Sequence, residues 1–400
     1  MFFRRPLKND RNLIMNKNWS KTTLGSLGKI SMCKRILKEE TSESGDIPFY
    51  KISTFGGIAD AFISKDIFEK YRETYSYPKI GDILISAAGT LGKTVIFDGK
   101  PSYFQDSNIV WVDNDEKTVI NSFLYYFYQT NPWIKTTGST INRLYNNDIK
   151  NLEISFPNLI KQQSIAAVLS ALDKKIALNK QINARLEQMA KTLYDYWFVQ
   201  FDFPDVDGKP YKSSGGDMVF DETLKREIPK GWEVVTLKDF LTIKNGKDHK
   251  PLSDGKYTVY GSGGAIRCVD DYLFEGESVL IPRKGTLNNV MYIDEAFWTV
   301  DTMFYTEMKQ DFFAKYVFYS IKDIDFTKFN LGTGVPSMTS SILYSLKIIK
   351  PSNCSLKHFE DVVKPIFLKI ANNEKQNHQL TQLRDFLLPM LMNGQVSVAE

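Results

Sequence analysis

Three stretches of this chain carry residue types suited to chemistry, and each fails on spacing or on context. AGTLGKT at Ala88–Thr94 holds the Gly, Lys and Thr of a phosphate-binding loop. Such a loop needs a glycine five residues before the Gly of Gly-Lys-Ser/Thr, so that backbone N–H groups can wrap the phosphates. Gly92 is that second glycine, but position 87 is Ala, so a tight turn between two strands is the better reading. Asn131–Trp133 reads Asn-Pro-Trp, not the Asn-Pro-Pro-aromatic loop of an adenine methyltransferase, and no glycine-rich strand–helix turn for a methyl donor accompanies it. PDVDGK at Pro204–Lys209 has the acidic residues of a nuclease, but in a Gly-rich connector, where they read as solvated. His249, His358 and His378 are scattered, and Cys33, Cys268 and Cys354 lie far apart with no Cys-x-x-Cys. That leaves no zinc set and no His beside a nucleophile elbow.

With no complete catalytic constellation, binding is what remains. The second half concentrates polar and basic side chains in loop-like segments: Lys244, Lys247, His249 and Lys250, then Tyr260, Arg267, Arg283 and Lys284. The first half offers Lys34, Arg35, Lys38, Lys51, Lys93, Thr94 and Arg143. Lys and Arg neutralise phosphates, and forked or hydroxyl groups read base edges. Taken singly, each is ordinary surface charge. The net charge of +4 is too small to announce nucleic acid, because it hides how the charges are distributed.

The elements that must position these residues are written twice. Trp19 and Leu24 (WSKTTL) match Trp232 and Leu237 (WEVVTL). GDILISAAGTLGK from Gly81 matches ESVLIPRKGTLNN, which places Gly89, Thr90 and Leu91 on Gly285, Thr286 and Leu287. The segment from Gly138 matches that from Gly332, and from there to Leu193 and Leu387 the copies align without a gap. The extra residues of the first copy fall mainly between Leu24 and Gly81. In each copy short β-branched and aromatic runs come first. A helical stretch, a strand ending at Pro157 or Pro351, and a long helix follow. Asn158 and Ser352 suit its N-cap.

The long helices carry a heptad stripe. In the first it runs through Ile165, Leu169, Leu172, Ile176, Asn179, Asn183, Leu186, Ala190 and Leu193. In the second it runs through Phe359, Val363, Ile366, Ile370, Asn373, Asn377, Leu380, Arg384 and Leu387. At roughly 1.5 Å per residue such a stripe outruns a small domain. Buried Asn on a helix seam fixes register at some loss of stability. The two helices are therefore expected to pack on each other. Pro365 predicts a kink or a helix start, and Gly394 a stop. The connector from Phe201 to Gly231 reads as an ordered or semi-ordered loop.

The expected class is α+β, with two similar mixed α/β domains, each followed by a long helix. The boundaries are 1–157, 158–198 (helix), 199–231 (connector), 232–351 and 352–400 (helix and C-terminal end). Length, 42% hydrophobic and 24% charged residues are ordinary for a globular protein of two or three domains. No apolar run of membrane-spanning length exists, and the odd cysteine count fits a reduced, cytoplasmic chain. MNKNWSKTTLG from Met15 looks like a natural start, so residues 1–14 read as an extension.

This plan, with W-x-x-x-x-L, G-D-I-L-I-S, the G-T-L turn and a helix beginning near QQ-x-I-A, resembles the specificity subunit of type I DNA restriction-modification enzymes. The connector YDYWFVQFDFPDVDGKPYKSSGGDMVFDETLKREIPKGWE and the end LTQLRDFLLPMLMNGQV look like the corresponding segments of that family. The resemblance implies two target recognition domains, each reading one half of a split double-stranded DNA site. It implies an antiparallel helix pair that spaces them and docks two methyltransferase subunits, joined by restriction/translocase subunits. S-adenosylmethionine, ATP and Mg²⁺ would belong to those partners, with no cofactor and no metal in this chain. Two other readings stay open: an enzyme with an unfamiliar nuclease or methyltransferase site, and a two-headed scaffold that binds proteins.

Overall fold

The structure, a computed structural model, describes residues 19–133, 143–329 and 336–398. The described residues form two compact units, 19–179 with 375–398, and 180–374. Met15, Gly138 and Gly332 lie outside the described residues.

In chain order the first copy gives β1 (Ser20–Thr23), β2 (Gly28–Met32), β3 (Ile47–Tyr50), β4 (Phe62–Ile63), α1 (Lys65–Thr74), β5 (Ile83–Ser86), β6 (Thr94–Ile96), β7 (Tyr103–Phe104), β8 (Ile109–Asn114), α2 (Asn121–Gln129) and β9 (Glu153–Phe156). β1 pairs antiparallel with β9. One sheet has the order β2-β8-β5-β6 and another β4-β3-β7. The apolar runs of β5 and β8 are buried on both faces, and side-chain alternation divides them between two cores. Ile83, Ile85, Val110 and Val112 face the core that holds Phe123 and Leu169. Leu84, Ile109 and Trp111 face the one that holds Phe49 and Tyr103. The long helix α3 (Leu159–Tyr194) follows, and Asn158 caps it by accepting from the Lys161 N–H at 3.0 Å.

Past the end of α3 the connector is more structured than its composition suggests. Phe201 and Phe203 are buried, and Phe203 stacks on both Tyr211 and Trp232 at 4.7 Å between ring centroids. β10 (Met218–Asp221) and β11 (Arg226–Pro229) form a hairpin. The acidic residues hold turns. Asp202 accepts from the Ser213 N–H and hydroxyl, and Asp205 accepts from the Asp207 and Lys209 N–H groups. Aromatic burial against Trp232 orders a segment that its Gly, Asp and Lys content predicts as loop.

The second copy gives β12 (Glu233–Thr236), β13 (Leu241–Asn245), β14 (Asp254–Gly261), β15 (Gly264–Val269), β16 (Phe274–Pro282), β17 (Met291–Thr299), β18 (Met303–Met308), α4 (Ala314–Lys322), β19 (Lys347–Lys350) and the long helix α5 (Asn353–Met392). β12 pairs with β19 as β1 does with β9. The order β13-β18-β16-β17 repeats β2-β8-β5-β6, and β14 and β15 extend it. Val279, Ile281 and Phe304 face one core while Leu280 and Met303 face another, the same division by alternation. No counterpart of α1 stands between β15 and β16, which accounts for much of the added length of the first copy.

Ser352 caps α5 through the Ser355 N–H at 3.0 Å, and Gly394, at φ +68°, lies just past its end. α5 runs through Pro365 without interruption, so the helix start expected there is not found. Pro365 and Asp361 are exposed, so the carbonyl deprived of its bond faces water, while Phe359 and Val363 keep the opposite face buried.

The helices pair antiparallel within each unit. In the first, Asn179 Nδ2 donates to Asn377 Oδ1 at 3.0 Å and to Gln376 Oε1 at 2.7 Å. Arg384 on the seam meets Asp173 at 2.9 Å, and the Tyr126 hydroxyl donates to the same carboxylate. In the second, Asn373 Nδ2 donates to Asn183 Oδ1 at 2.7 Å, and Asn183 Nδ2 to the Ile370 carbonyl at 3.2 Å. The stripe residues of both helices are buried or half-buried throughout. The start of α5 is also held by charge. Lys315, 1% exposed, lies 2.8 Å from Glu277 and 2.7 Å from Glu360. Burial pushes the Glu360 carboxyl up, and Lys315 opposes that shift.

Two outcomes are expected. Asn373→Leu leaves Asn183 Oδ1 without its donor and should lower stability by about 1–3 kcal/mol, with much of the loss recovered in Asn183→Leu/Asn373→Leu. Equal losses in the single and double variants, by denaturant titration, would count against an amide lock. Lys315→Met leaves buried carboxylates unpaired and should cost about 3–5 kcal/mol near neutral pH. A carboxyl raised on folding binds its proton more tightly in the folded state. The contribution of Glu360 is therefore full below its unfolded value and lost as pH rises through its folded one, so the variant should recover in acid. Thermal melts across pH test this.

Candidate nucleic-acid interface

The G-T-L segments are hairpin turns. In the first unit the turn joins β5 to β6, antiparallel strands, with no helix after it to receive a phosphate. Gly89 (φ +64°) and Gly285 (φ +86°) occupy the same place in the two copies, in the left-handed region that side chains avoid.

Three loops converge at this turn in each unit. The residue before the glycine bridges to the entry of the last strand segment: Ala88 to Arg143, and Lys284 to Ser337. The next rung is also shared, since Leu144 N–H donates to the Ala87 carbonyl at 2.8 Å and Met338 N–H to the Arg283 carbonyl at 2.9 Å. The third loop is a hairpin tip. A Cβ on Gly89 would stand 3.5 Å from Ile52, and one on Gly285 would meet Ser262 Oγ at 2.8 Å. Sequence spacing gave no hint that residues 51–57 and 261–264 join these clusters.

Within the first unit, Arg143 donates to the Ser107 carbonyl at 3.0 Å and Lys93 Nζ to the Phe55 carbonyl. Neither bond pairs its cation with a carboxylate. Thr94 accepts from Gln129 Nε2 at 2.6 Å. Lys51 is ion-paired with Asp60 at 2.8 Å, which offsets its charge.

Within the second unit, Lys284 is exposed on the turn and Arg283 lies over the Phe304 ring at 5.9 Å. Lys247 and Lys250 are exposed and His249 is half-buried. Among the described residues no hydrogen-bond or ion-pair partner meets the ammonium groups of Lys247, Lys250 and Lys284. Arg267 is built into the loop that carries His249. It donates to the carbonyls of His249 at 2.8 Å and Leu252 at 2.6 Å and lies 3.6 Å from Asp254. Tyr260 donates to Glu295 at 2.9 Å, and burial together with that carboxylate holds its phenol above the ordinary range. Arg267 and Tyr260 are therefore held by bonds within their own unit, while Lys247, Lys250 and Lys284 are exposed.

The residues that spacing missed are those holding the tips, chiefly Phe55, Ser262 and Asn289. The available signal was a Gly-Gly pair after Phe55 and after Ser262. Among the described residues no group of three or more His, Cys, Asp or Glu side chains is placed to hold a metal, and no helix is long and apolar enough to cross a membrane.

Comparison with known proteins agrees with this duplicated plan. The family model described as the type I restriction modification DNA specificity domain matches twice, over residues 16–188 and 229–382. A putative type I restriction enzyme specificity subunit of Haemophilus influenzae is 52% identical over 175 residues, a match covering 44% of this chain and 45% of that one. The chain thus spans under half the length of that relative. The MjaIX specificity subunit of Methanocaldococcus jannaschii is 27% identical across 96% of this chain and 95% of its own. The fold is similar to a crystal structure of a type I restriction-modification system S subunit from M. genitalium, with a TM-score of 0.62 at 20% identity, covering 96% and 98% of the two chains. With the family model matched across both copies, this chain belongs to the type I restriction-modification DNA specificity family.

Proposed function

We propose that each unit reads one half of a bipartite double-stranded DNA site through its three-loop cluster. In this reading the helices dock two methyltransferase subunits, which restriction/translocase subunits join. The chain performs no bond-making step itself. S-adenosylmethionine, ATP and Mg²⁺ act in the partners, and the target adenine is flipped into a partner's pocket. A duplicated chain suits two identical partners.

The observation that carries this reading is the repetition of one backbone frame with different side chains. The bridges Ala88–Arg143 and Lys284–Ser337 are the same bond in the two copies. One cluster displays Arg143 at the strand entry, where the other displays Ser337. Equal frames with unequal donors and acceptors are what two half-sites of different sequence require.

Replacing residues 17–157 with the equivalent unit of a relative should change one half of the methylated site and leave the other. Methylome sequencing reads the result, and a change in both halves would overturn the two-reader model. Lys284→Ala should weaken binding to all duplexes alike. It should also lower the slope of log K against log salt by about 0.9, the signature of one lost phosphate contact. Binding titrations at several salt concentrations check this; an unchanged slope would move Lys284 off the DNA face.

A further inference from the structure

Lys93 and Asn289 occupy the same place in the two copies, at the far end of the glycine turn. Phe55 and Ser262 also correspond. Each precedes a Gly-Gly pair, Gly56-Gly57 and Gly263-Gly264, between the strands of an antiparallel pair, β3–β4 and β14–β15. Lys93 Nζ donates to the Phe55 carbonyl, and Asn289 Nδ2 donates to the Ser262 carbonyl at 2.8 Å. The same bond is thus made by an ammonium in one unit and a neutral carboxamide in the other. What the two positions share is a donor, not a charge.

We propose that Lys93 and Asn289 are positioning residues for DNA reading, each tying the Gly-Gly tip of its hairpin to the glycine turn so that two loops present one ordered face to the bases. Two adjacent glycines give the tip the widest backbone freedom of any dipeptide. Left loose, the tip would have to be ordered on every binding event. Base discrimination needs donors and acceptors held in fixed directions, because a misdirected group hydrogen-bonds right and wrong bases alike. The role differs from phosphate contact, which a free lysine at position 93 would make and an asparagine at 289 would not match. The inference rests on the assignment of DNA reading made above.

The test uses the full-length chain assembled with its methyltransferase partners, duplexes carrying its methylated site, and single-base-pair variants of each half, titrated at several salt concentrations. Lys93→Met should lose about tenfold in discrimination among variants of the half-site read by the first unit and none in the other half. Asn289→Ala should do the converse. Neither should change the salt slope, and Lys93→Arg, whose guanidinium can donate to the same carbonyl, should retain discrimination. Uniform weakening by Lys93→Met with a slope lower by about 0.9 would make it a phosphate contact and overturn the proposal. Unchanged discrimination in Asn289→Ala, folded by its thermal melt, would overturn it as well. A wild-type complex with no sequence preference would instead sink the DNA-reading assignment, and this inference with it.

Discussion

Asn179, Asn183, Asn373 and Asn377 put carboxamides where the helix stripes otherwise put leucine, isoleucine and valine. A carboxamide buried against aliphatic side chains has lost water and must find another partner. Here the partner is a second carboxamide across the helix pair. Asn179 donates to Asn377, and its counterpart Asn373 donates to Asn183, the counterpart of Asn377. Donor and acceptor roles thus follow the internal repeat. A slide by one turn would set two of the four amides against apolar residues, so one alignment of the helices is favoured over its neighbours.

That alignment lets each unit close its own core. In the first unit Leu387, Leu388, Leu391 and Met392 of α5 pack with Ile165 and Leu169 against the sheet of the first copy. In the second, Ala190 and Leu193 of α3 pack with Phe359 and Val363 against the sheet of the second. Each copy therefore completes its core with the end of the other copy's helix. The two cores solve similar problems with different chemistry. The first buries Gln162, whose amide serves the backbone of Thr118, Ile120 and Pro157. The second buries Lys315 between two carboxylates, one of which, Glu360, has Ala166 as its counterpart in the first copy. Divergence this deep leaves the backbone frame in place, because the frame is fixed by main-chain pairing and by alternation.

The same logic separates frame from reader. The rungs at Leu144 and Met338, the bridges at Ala88 and Lys284, and the left-handed glycines at 89 and 285 use backbone groups only. Side chains at these places are free to differ. The alternation of Lys, Ala, Arg and Ser across the two clusters leaves the turn unchanged while altering the side chains it displays. The hairpin tips vary more, in length and in flanking strands, and are tied down by a single side-chain donor in each unit.

Much of the architecture was legible in the amino-acid order because the relevant physics is local or periodic. The stripe, the caps Asn158 and Ser352, the seam asparagines and the G-T-L turn follow from short-range spacing, the repeat from matching one half of the chain to the other, and the structure contains each of them. The helix start suggested by Pro365 was overridden by long-range burial of Phe359 and Val363. Composition reads the connector as an ordered or semi-ordered loop, but it does not show the contacts that order it, Trp232 and Tyr211 clasping Phe203, nor its hairpin. The interface was legible only in part. The sequence determined which residues carry charge and that the unit displaying them is written twice. Tertiary structure decided which of those charges are free, pairing Lys51 with Asp60 and building Arg267 into its loop while leaving Lys284 exposed. It also decided that residues 51–57 and 261–264 join the glycine turns, because strand pairing brings together loops that no spacing along the chain relates.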